Sequence, residues 1–282
     1  MTLVMCVNIY STTKNALATN SLSLNQLVLQ HSILWNPPPA DLTLSPDDVH
    51  VWRASLIQPA SRVEQLRLTL SADEQARADR FYFEQHKNRF IVARGILRII
   101  LSRYLDISPR QVQFSYGAHG KPALAATLGK GLLEFNLSHS QDIALYAVTR
   151  SLAAASASRL LGIDVEHIRP MPDLEKIAER FFAARENAAL QALPVSLRQQ
   201  AFFNCWTRKE AYLKACGYGL AGELNKIEVS LTPGEPALLL SIAGETEAAS
   251  RWCLTDLTPA SGASAALVVF GHGGHLHYWQ FW

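Results

Sequence analysis

Leu161-Gly162-Ile163-Asp164-Val165-Glu166-His167-Ile168 reads as a strand, because apolar and polar side chains alternate along it. Alternation sets Ile163 and Val165 on one face and Asp164 and Glu166 on the other, with the two carboxylates about 7 Å apart. So spaced, they can converge on one cation; a strand with a solvated outer face gives the same pattern. Working outward, residues 173–189 and 201–216 read as helices, and 265–270 and 276–281 as late strands. Upstream, the same order is met once already. Residues 50–56 read as a strand, and 71–83 as a helix with Ser71 and Glu74 at capping-box spacing. A second helix follows over 86–105, where Phe90, Ile91, Ile96, Leu97, Ile100 and Leu101 recur at three- and four-residue steps. Residues 135–148 then form two strands around a turn. Arg180-Phe181-Phe182 echoes Arg80-Phe81-Tyr82. The recurrence predicts an α+β fold of two similar lobes related by a pseudo-twofold duplication, each a small antiparallel sheet with packed helices, and an active site between them. The expected boundaries are a mobile extension over 1–45, an N-terminal lobe over 46–160 and a C-terminal lobe over 161–282.

Apolar residues make up 49% of the chain and charged residues 18%, with a formal charge of +2. That balance is of a folded chain with no charge-driven reason to hold nucleic acid or a membrane surface. Any anion binding must come from local basic clusters. Cys6, Cys205, Cys216 and Cys253 form no CxxC pair, so neither a zinc knuckle nor a redox motif is suggested, and free thiols fit a reducing, cytoplasmic setting. The run 265–270 is far short of the roughly 20 apolar residues a spanning helix needs. Residues 1–45 hold one lysine, no arginine and one acid, unlike a secretory signal or a transit peptide. Pro37-Pro38-Pro39 marks the edge of that extension.

In the helix Phe203-Asn204-Cys205-Trp206-Thr207-Arg208-Lys209-Glu210-Ala211-Tyr212-Leu213-Lys214, four-residue steps put Trp206, Glu210 and Lys214 on one stripe with Phe203. A carboxylate on an apolar stripe needs a partner, and Lys214 or a metal ion can serve. A surface Glu-Lys pair is the alternative. Phe135-Asn136-Leu137-Ser138-His139-Ser140 offers small polar side chains and an imidazole beside a strand, fit to hold phosphate oxygens or to make a polar turn. Gly120-Lys121-Pro122 sets one cation on a rigid turn, and Arg77, Arg80 and Arg89 add positive charge.

Taken in order, GKP, FN-x-SHS, GID-x-E and W-x-x-KEA-x-x-K resemble the surfactin-synthetase-activating (Sfp) type of 4′-phosphopantetheinyl transferase, over roughly residues 50–280. The resemblance implies Mg²⁺ held by Asp164, Glu166 and Glu210, an oxygen set suited to a hard cation that bridges carboxylates to phosphates. It also implies coenzyme A held through its phosphates by Arg77, Lys121, Ser138, His139 and Lys214. The implied reaction moves the phosphopantetheine arm of coenzyme A to a serine of an apo acyl- or peptidyl-carrier protein. Asp164, Glu210 and Lys214 carry the chemistry, and Glu210 is the candidate base. Met171, Leu174 and Ile177, with Arg169 and Lys176 around them, make a landing site for an acidic carrier, or a core-facing stripe flanked by solvated charges. A monomer is expected. One departure is that some relatives carry lysine where this chain has Glu74, which removes a phosphate contact unless Arg80 or Arg89 replaces it. The alternatives are a non-catalytic coenzyme A binding or regulatory protein, which would be expected to have lost an acid or Lys214, and a Mg²⁺-dependent phosphodiesterase that needs no carrier. Ser138 beside His139 lacks the GxSxG turn of a hydrolase nucleophile.

Overall fold

The computed structural model describes residues 33–128, 133–150, 159–218, 223–271 and 273–282. The first lobe begins with β1 (Asp48–Ser55), α1 (Ala60–Arg67), α2 (Ala72–Ala78) and the long α3 (Glu84–Leu105). A small hairpin, β2 (Phe114–Tyr116) with β3 (Pro122–Leu124), precedes β4 (Leu133–Ser140) and β5 (Ile143–Arg150). The second lobe runs β6 (Leu161–His167), α4 (Leu174–Phe181), α5 (Ala184–Ala192), the long α6 (Val195–Cys216), β7 (Ile227–Val229) and β8 (Leu239–Ile242). It ends with α7 (Thr246–Ser250), β9 (Trp252–Leu257), β10 (Ala263–Phe270) and β11 (His275–Gln280).

Two sheets pack face to face between two layers of helix. On β1 and β5 the residues Trp52, Ala54, Ala144, Tyr146 and Val148 face α3 and form one core with Ile91, Ile96, Leu97, Ile100 and Leu101. Their neighbours Val49, Val51, Leu145 and Ala147 point the other way, onto Ile163, Val165, Ala265 and Leu267 of the second sheet. Ala266 and Val268 face α6 and the Phe202-Phe203 cluster. Strand alternation thus feeds two cores per sheet, which is why these strands read as apolar almost throughout. The predicted two-lobed α+β architecture is present.

The last strand does not stay with its own lobe. The first sheet has the order β11-β1-β5-β4 and the second β6-β10-β9. β11 pairs with β1 in parallel, the remaining pairings in these two sheets being antiparallel. Residues 33–45, read from sequence as part of a mobile extension, are packed instead. The Asn36 N–H donates to the Tyr278 carbonyl at 3.1 Å, Arg103 bonds the Pro39 carbonyl at 2.7 Å, and Leu44 is buried. Residues 1–32 lie outside the described residues.

Helix ends also moved. The helix expected over 71–83 stops at Ala78, and Asp79 beyond it is held by Arg67 at 2.9 Å. The helix expected over 173–189 is broken at Phe182-Ala183, where Glu186 turns back to accept the Ala183 N–H at 2.7 Å and starts a second helix. α6 ends at Gly217, whose φ of 75° is the left-handed cap that glycine adopts without strain.

Candidate functional site

β4 and β6 are the facing edge strands of the two sheets. Side chains stitch them. Asn136 Oδ1 accepts the Ile163 N–H at 2.9 Å, and Ser138 Oγ donates to Asp164 Oδ1 at 2.8 Å. Ser140 Oγ donates to Glu166 Oε2 at 2.9 Å and accepts the His167 N–H at 3.0 Å. Every second residue of Phe135-Asn136-Leu137-Ser138-His139-Ser140 therefore faces the other lobe, as strand geometry requires. The sequence reading named Ser138 and His139 as site residues and gave Asn136 and Ser140 only as part of the polar run, although the alternation that aims them was visible.

Gly162 brings the third element close. A Cβ at this position would lie 2.1 Å from the Ala211 carbonyl oxygen and 2.3 Å from the Ala215 nitrogen, so only glycine lets β6 lie this near α6. The contact suspends Glu210 and Lys214 over the polar face of β6. Lys214 Nζ donates to Asp164 Oδ1 at 2.6 Å and to Ser138 Oγ at 2.9 Å. Lys214, offered by the sequence reading as a partner for Glu210, is thus engaged by Asp164, whose carboxylate lies on the facing strand rather than one turn back along the helix.

The acids are left short of partners. Asp164 Oδ2 and Glu210 Oε1 are buried without a hydrogen bond, and so is Arg89 Nε. Buried polar atoms are rarely left so, because each costs about 1–3 kcal/mol unless something fills the gap. Burial pushes the Glu210 carboxyl up to about 7, with the Asp164 and Glu166 charges adding to the rise and Lys214 opposing it. Acids of like sign with two buried oxygens lacking partners, and an unused guanidinium donor near His139, suit a divalent cation and an anionic oxygen group.

Other expected residues sit at varying removes. Glu166 lies beside the pair but is bonded to Ser140 and, at 3.4 Å, to Arg169. His139 lies on β4 beside Lys214 and Arg89, and desolvation together with those two charges lowers its pKa. Lys121 reaches across from the first lobe to the Ala215 carbonyl at 3.0 Å and the Leu161 carbonyl at 3.4 Å, at the end of α6. Arg77 stacks over Phe90, 5.2 Å from the ring centroid. Glu74 faces inward, paired with Arg94 at 3.0 Å and Arg98 at 2.6 Å; it is a structural acid of the first lobe. Beside the acids a groove of about 220 Å³ is lined by Glu166, Arg169, Met171, Ile177 and the aromatic rings Phe202, Phe203 and Trp206. Of the expected landing residues it includes Arg169, Met171 and Ile177 and leaves out Leu174, while Met171, Leu174 and Ile177 all pack against the second-lobe core, and Lys176 pairs with Asp173 at 3.0 Å.

Fold and site together define a two-lobed α+β protein with a mixed acidic and basic cluster between edge strands. Comparison with known proteins makes this specific. A family profile described as the 4′-phosphopantetheinyl transferase superfamily matches residues 160–268, and one described as 4′-phosphopantetheinyl transferase, N-terminal, matches residues 55–167. The chain is 47% identical over 254 residues to the 4′-phosphopantetheinyl transferase HetI of Nostoc sp. (strain PCC 7120), covering 90% of this chain and all of that one. It is 32% identical to a 4′-phosphopantetheinyl transferase of Bacillus pumilus, over 63% of this chain and 71% of the other. It is 29% identical to the 4′-phosphopantetheinyl transferase Sfp of Bacillus subtilis (strain 168), over 62% and 73%. The chain belongs to the 4′-phosphopantetheinyl transferase superfamily. Its reaction is the transfer of 4′-phosphopantetheine from coenzyme A to an apo carrier protein.

Proposed function

We propose that the chain is an Sfp-type transferase whose site, between β4, β6 and α6, works with Mg²⁺ held by Asp164, Glu166 and Glu210. The observation that carries this reading is the pair of buried, unpartnered oxygens, Asp164 Oδ2 and Glu210 Oε1, with Arg89, whose Nε is likewise unpartnered, near His139 of the facing strand. Bound there, the ion supplies positive charge against the pyrophosphate oxygens of coenzyme A. The remaining work belongs to side chains. Lys214, fixed by Asp164 and Ser138, presents ammonium charge to the phosphates, and Arg89 Nε donates to a phosphate oxygen. Ser138 and His139, both on β4, also hold coenzyme A through its phosphates. Lys121 has two of its three N–H groups on backbone carbonyls and offers the third to coenzyme A; Arg77 offers the open edge of its stacked guanidinium. The carrier serine attacks the pantetheine-side phosphorus, its proton passes to Glu210 directly or through a water, and 3′,5′-adenosine bisphosphate leaves.

The carrier docks in the groove of Met171, Ile177, Phe202, Phe203 and Trp206 beside Glu166, with Arg169 meeting its acidic surface. No helix among the described residues is long and apolar enough to cross a membrane. We read the enzyme as a monomer of the cytoplasm whose lobes divide at residues 160/161, with the site completed by both. The test is intact mass of an apo carrier protein after incubation with the enzyme, coenzyme A and Mg²⁺. The carrier should gain the mass of one phosphopantetheine in the complete reaction and none with chelator or with Asp164→Ala. Gain with chelator present would sink the metal assignment, and no gain on any carrier despite coenzyme A binding would sink the transferase.

A further inference from the structure

The parallel pairing of β11 with β1 has a chemical consequence far from the acids above. The register sets Asp48 opposite His275 and His50 opposite His277. Alternation turns all four to the face that carries Trp52 and Trp279 two residues further along. Among the described residues, Asp48, His50 and His277 are the ones whose ligand atoms, one from each, lie within 4.8 Å of one another; the three acids of the transferase site do not converge so closely.

We propose that Asp48, His50 and His277 form a second metal site, for a borderline transition ion of the zinc class, which clamps the last strand to the first. Asp48 Oδ1 stands 3.5 Å from His277 Nε2 and 3.6 Å from His275 Nδ1. These gaps are too long for hydrogen bonds. They match the spacing of about 3.3 Å between ligand atoms that each sit about 2.0–2.1 Å from a tetrahedral zinc ion. The surroundings are those of a built site. Asp48 Oδ2 is occupied by the Ser45 N–H at 2.9 Å, which leaves Oδ1 for the ion. His50 is 2% exposed, and its Nδ1 is held 2.8 Å from the Tyr104 hydroxyl, which also accepts Trp52 Nε1 at 2.9 Å. With Nδ1 so engaged, Nε2 is the nitrogen left to ligate, the outer-sphere arrangement that orients metal-binding histidines. His277 is braced by stacking on Trp279 at 5.9 Å. His275 is the solvent-side candidate for a fourth ligand. Imidazole donors select zinc, nickel or cobalt over magnesium, so this site and the oxygen-only site proposed above take different ions.

The experiment uses the full chain without a histidine tag, stripped with chelator and then given Zn²⁺ under a large excess of Mg²⁺, which keeps zinc out of the oxygen-only site. The wild type is expected to retain one equivalent of zinc on gel filtration, and zinc at 100 times its Kd should raise Tm by about 5 °C. Asp164→Asn should retain that zinc. His277→Phe, which keeps a ring on Trp279, should lose at least about 10-fold in zinc affinity and all of the thermal shift, while transferring phosphopantetheine at the wild-type rate. Equal zinc content in His277→Phe and wild type, or none retained by wild type, would overturn the proposal. A check that needs no variant is Co²⁺ in the wild type: an intense visible band of a four- or five-coordinate imidazole complex is expected, and the weak spectrum of the hydrated ion would equally overturn it.

Discussion

Glu210 hangs from α6 into a place where burial and the charges of Asp164 and Glu166 disfavour its ionised form, and its carboxyl is pushed up from 4.5 to about 7. A carboxyl raised on folding binds more protons in the native state than in the unfolded chain between those two values, so the metal-free protein loses stability as pH rises through that window. Above pH 7 the penalty is complete and amounts to about 3 kcal/mol. Glu210→Gln should therefore be more stable than wild type by about that amount at pH 8 in chelator, with little difference below pH 4.5, while losing transfer activity. Denaturant titrations of both proteins across pH would test it; parallel curves would show that the strain lies elsewhere. Its neighbour Lys209 lies in the same motif and differs completely in place from Lys214. Fully buried, it pairs with Glu186 at 2.5 Å and donates to the Leu224 and Ile227 carbonyls. Lys209→Ala leaves Glu186 buried without its cation and should cost about 3–5 kcal/mol with the site's own residues untouched, whereas Lys214→Ala takes the cation from buried Asp164 and should lower the melting temperature less, Lys214 being part-exposed, while removing activity. Four-residue spacing set Lys214 beside Glu210 and left Lys209 off that stripe, but it could not show that Lys209 is fully buried, because which side of a helix meets a core is set by a packing partner far along the chain.

At the scale of elements, the strands and long helices were legible because their side chains repeat with the period of the structure. The facing of Asp164 and Glu166 away from Ile163 and Val165 followed from alternation alone, and the buried stripe of α3 from its three- and four-residue steps. Helix ends were not, because α2 and α4 stop where single side chains, Asp79 and Glu186, find partners that spacing does not reveal. Gly162 is the sharpest case. In sequence it is one small residue in a strand; in the fold it is the point where β6 touches the backbone of α6. Gly162→Ala would have to displace α6, since the obstructing atoms are backbone rather than a flexible side chain. Overpacking of this kind costs about 1–3 kcal/mol. The prediction is loss of stability in that range with a fall in kcat well beyond it, because Glu210 and Lys214 move with the helix. If steady-state kinetics show kcat unchanged in a variant that melts early, the close approach matters for folding and not for the site.

At the scale of the molecule, the duplicated order of elements announced two lobes, and Glu74 and Glu186 repeat one device in both: an acid at the third position of a short helix, buried, capping that helix and paired with a cation on the long one. What the duplication hid is where it fails. Strand order across lobes is a long-range property, and the apolar pattern of 276–281 fits either sheet. β11 in fact closes the first sheet beside β1, with Trp279 and Phe281 packed on the first-lobe core and Leu276 and Tyr278 on the core between the sheets. Removing residues 275–282 would therefore damage the lobe most distant in sequence. β1 would become an exposed edge, Trp52 would lose Trp279 and Phe281 and keep only Tyr104 of its three aromatic neighbours, and partial burial of four large side chains would be forfeited, about 4 kcal/mol or more. The truncated chain should melt well below wild type, show a changed tryptophan environment, and associate through its bared edge at high concentration. Since none of the acids or basic groups at the transferase site is removed, whatever fraction remains folded should still modify carrier protein at low temperature. A truncated chain that melts as wild type does would mean that β11 is an ornament on the first sheet rather than part of its closure.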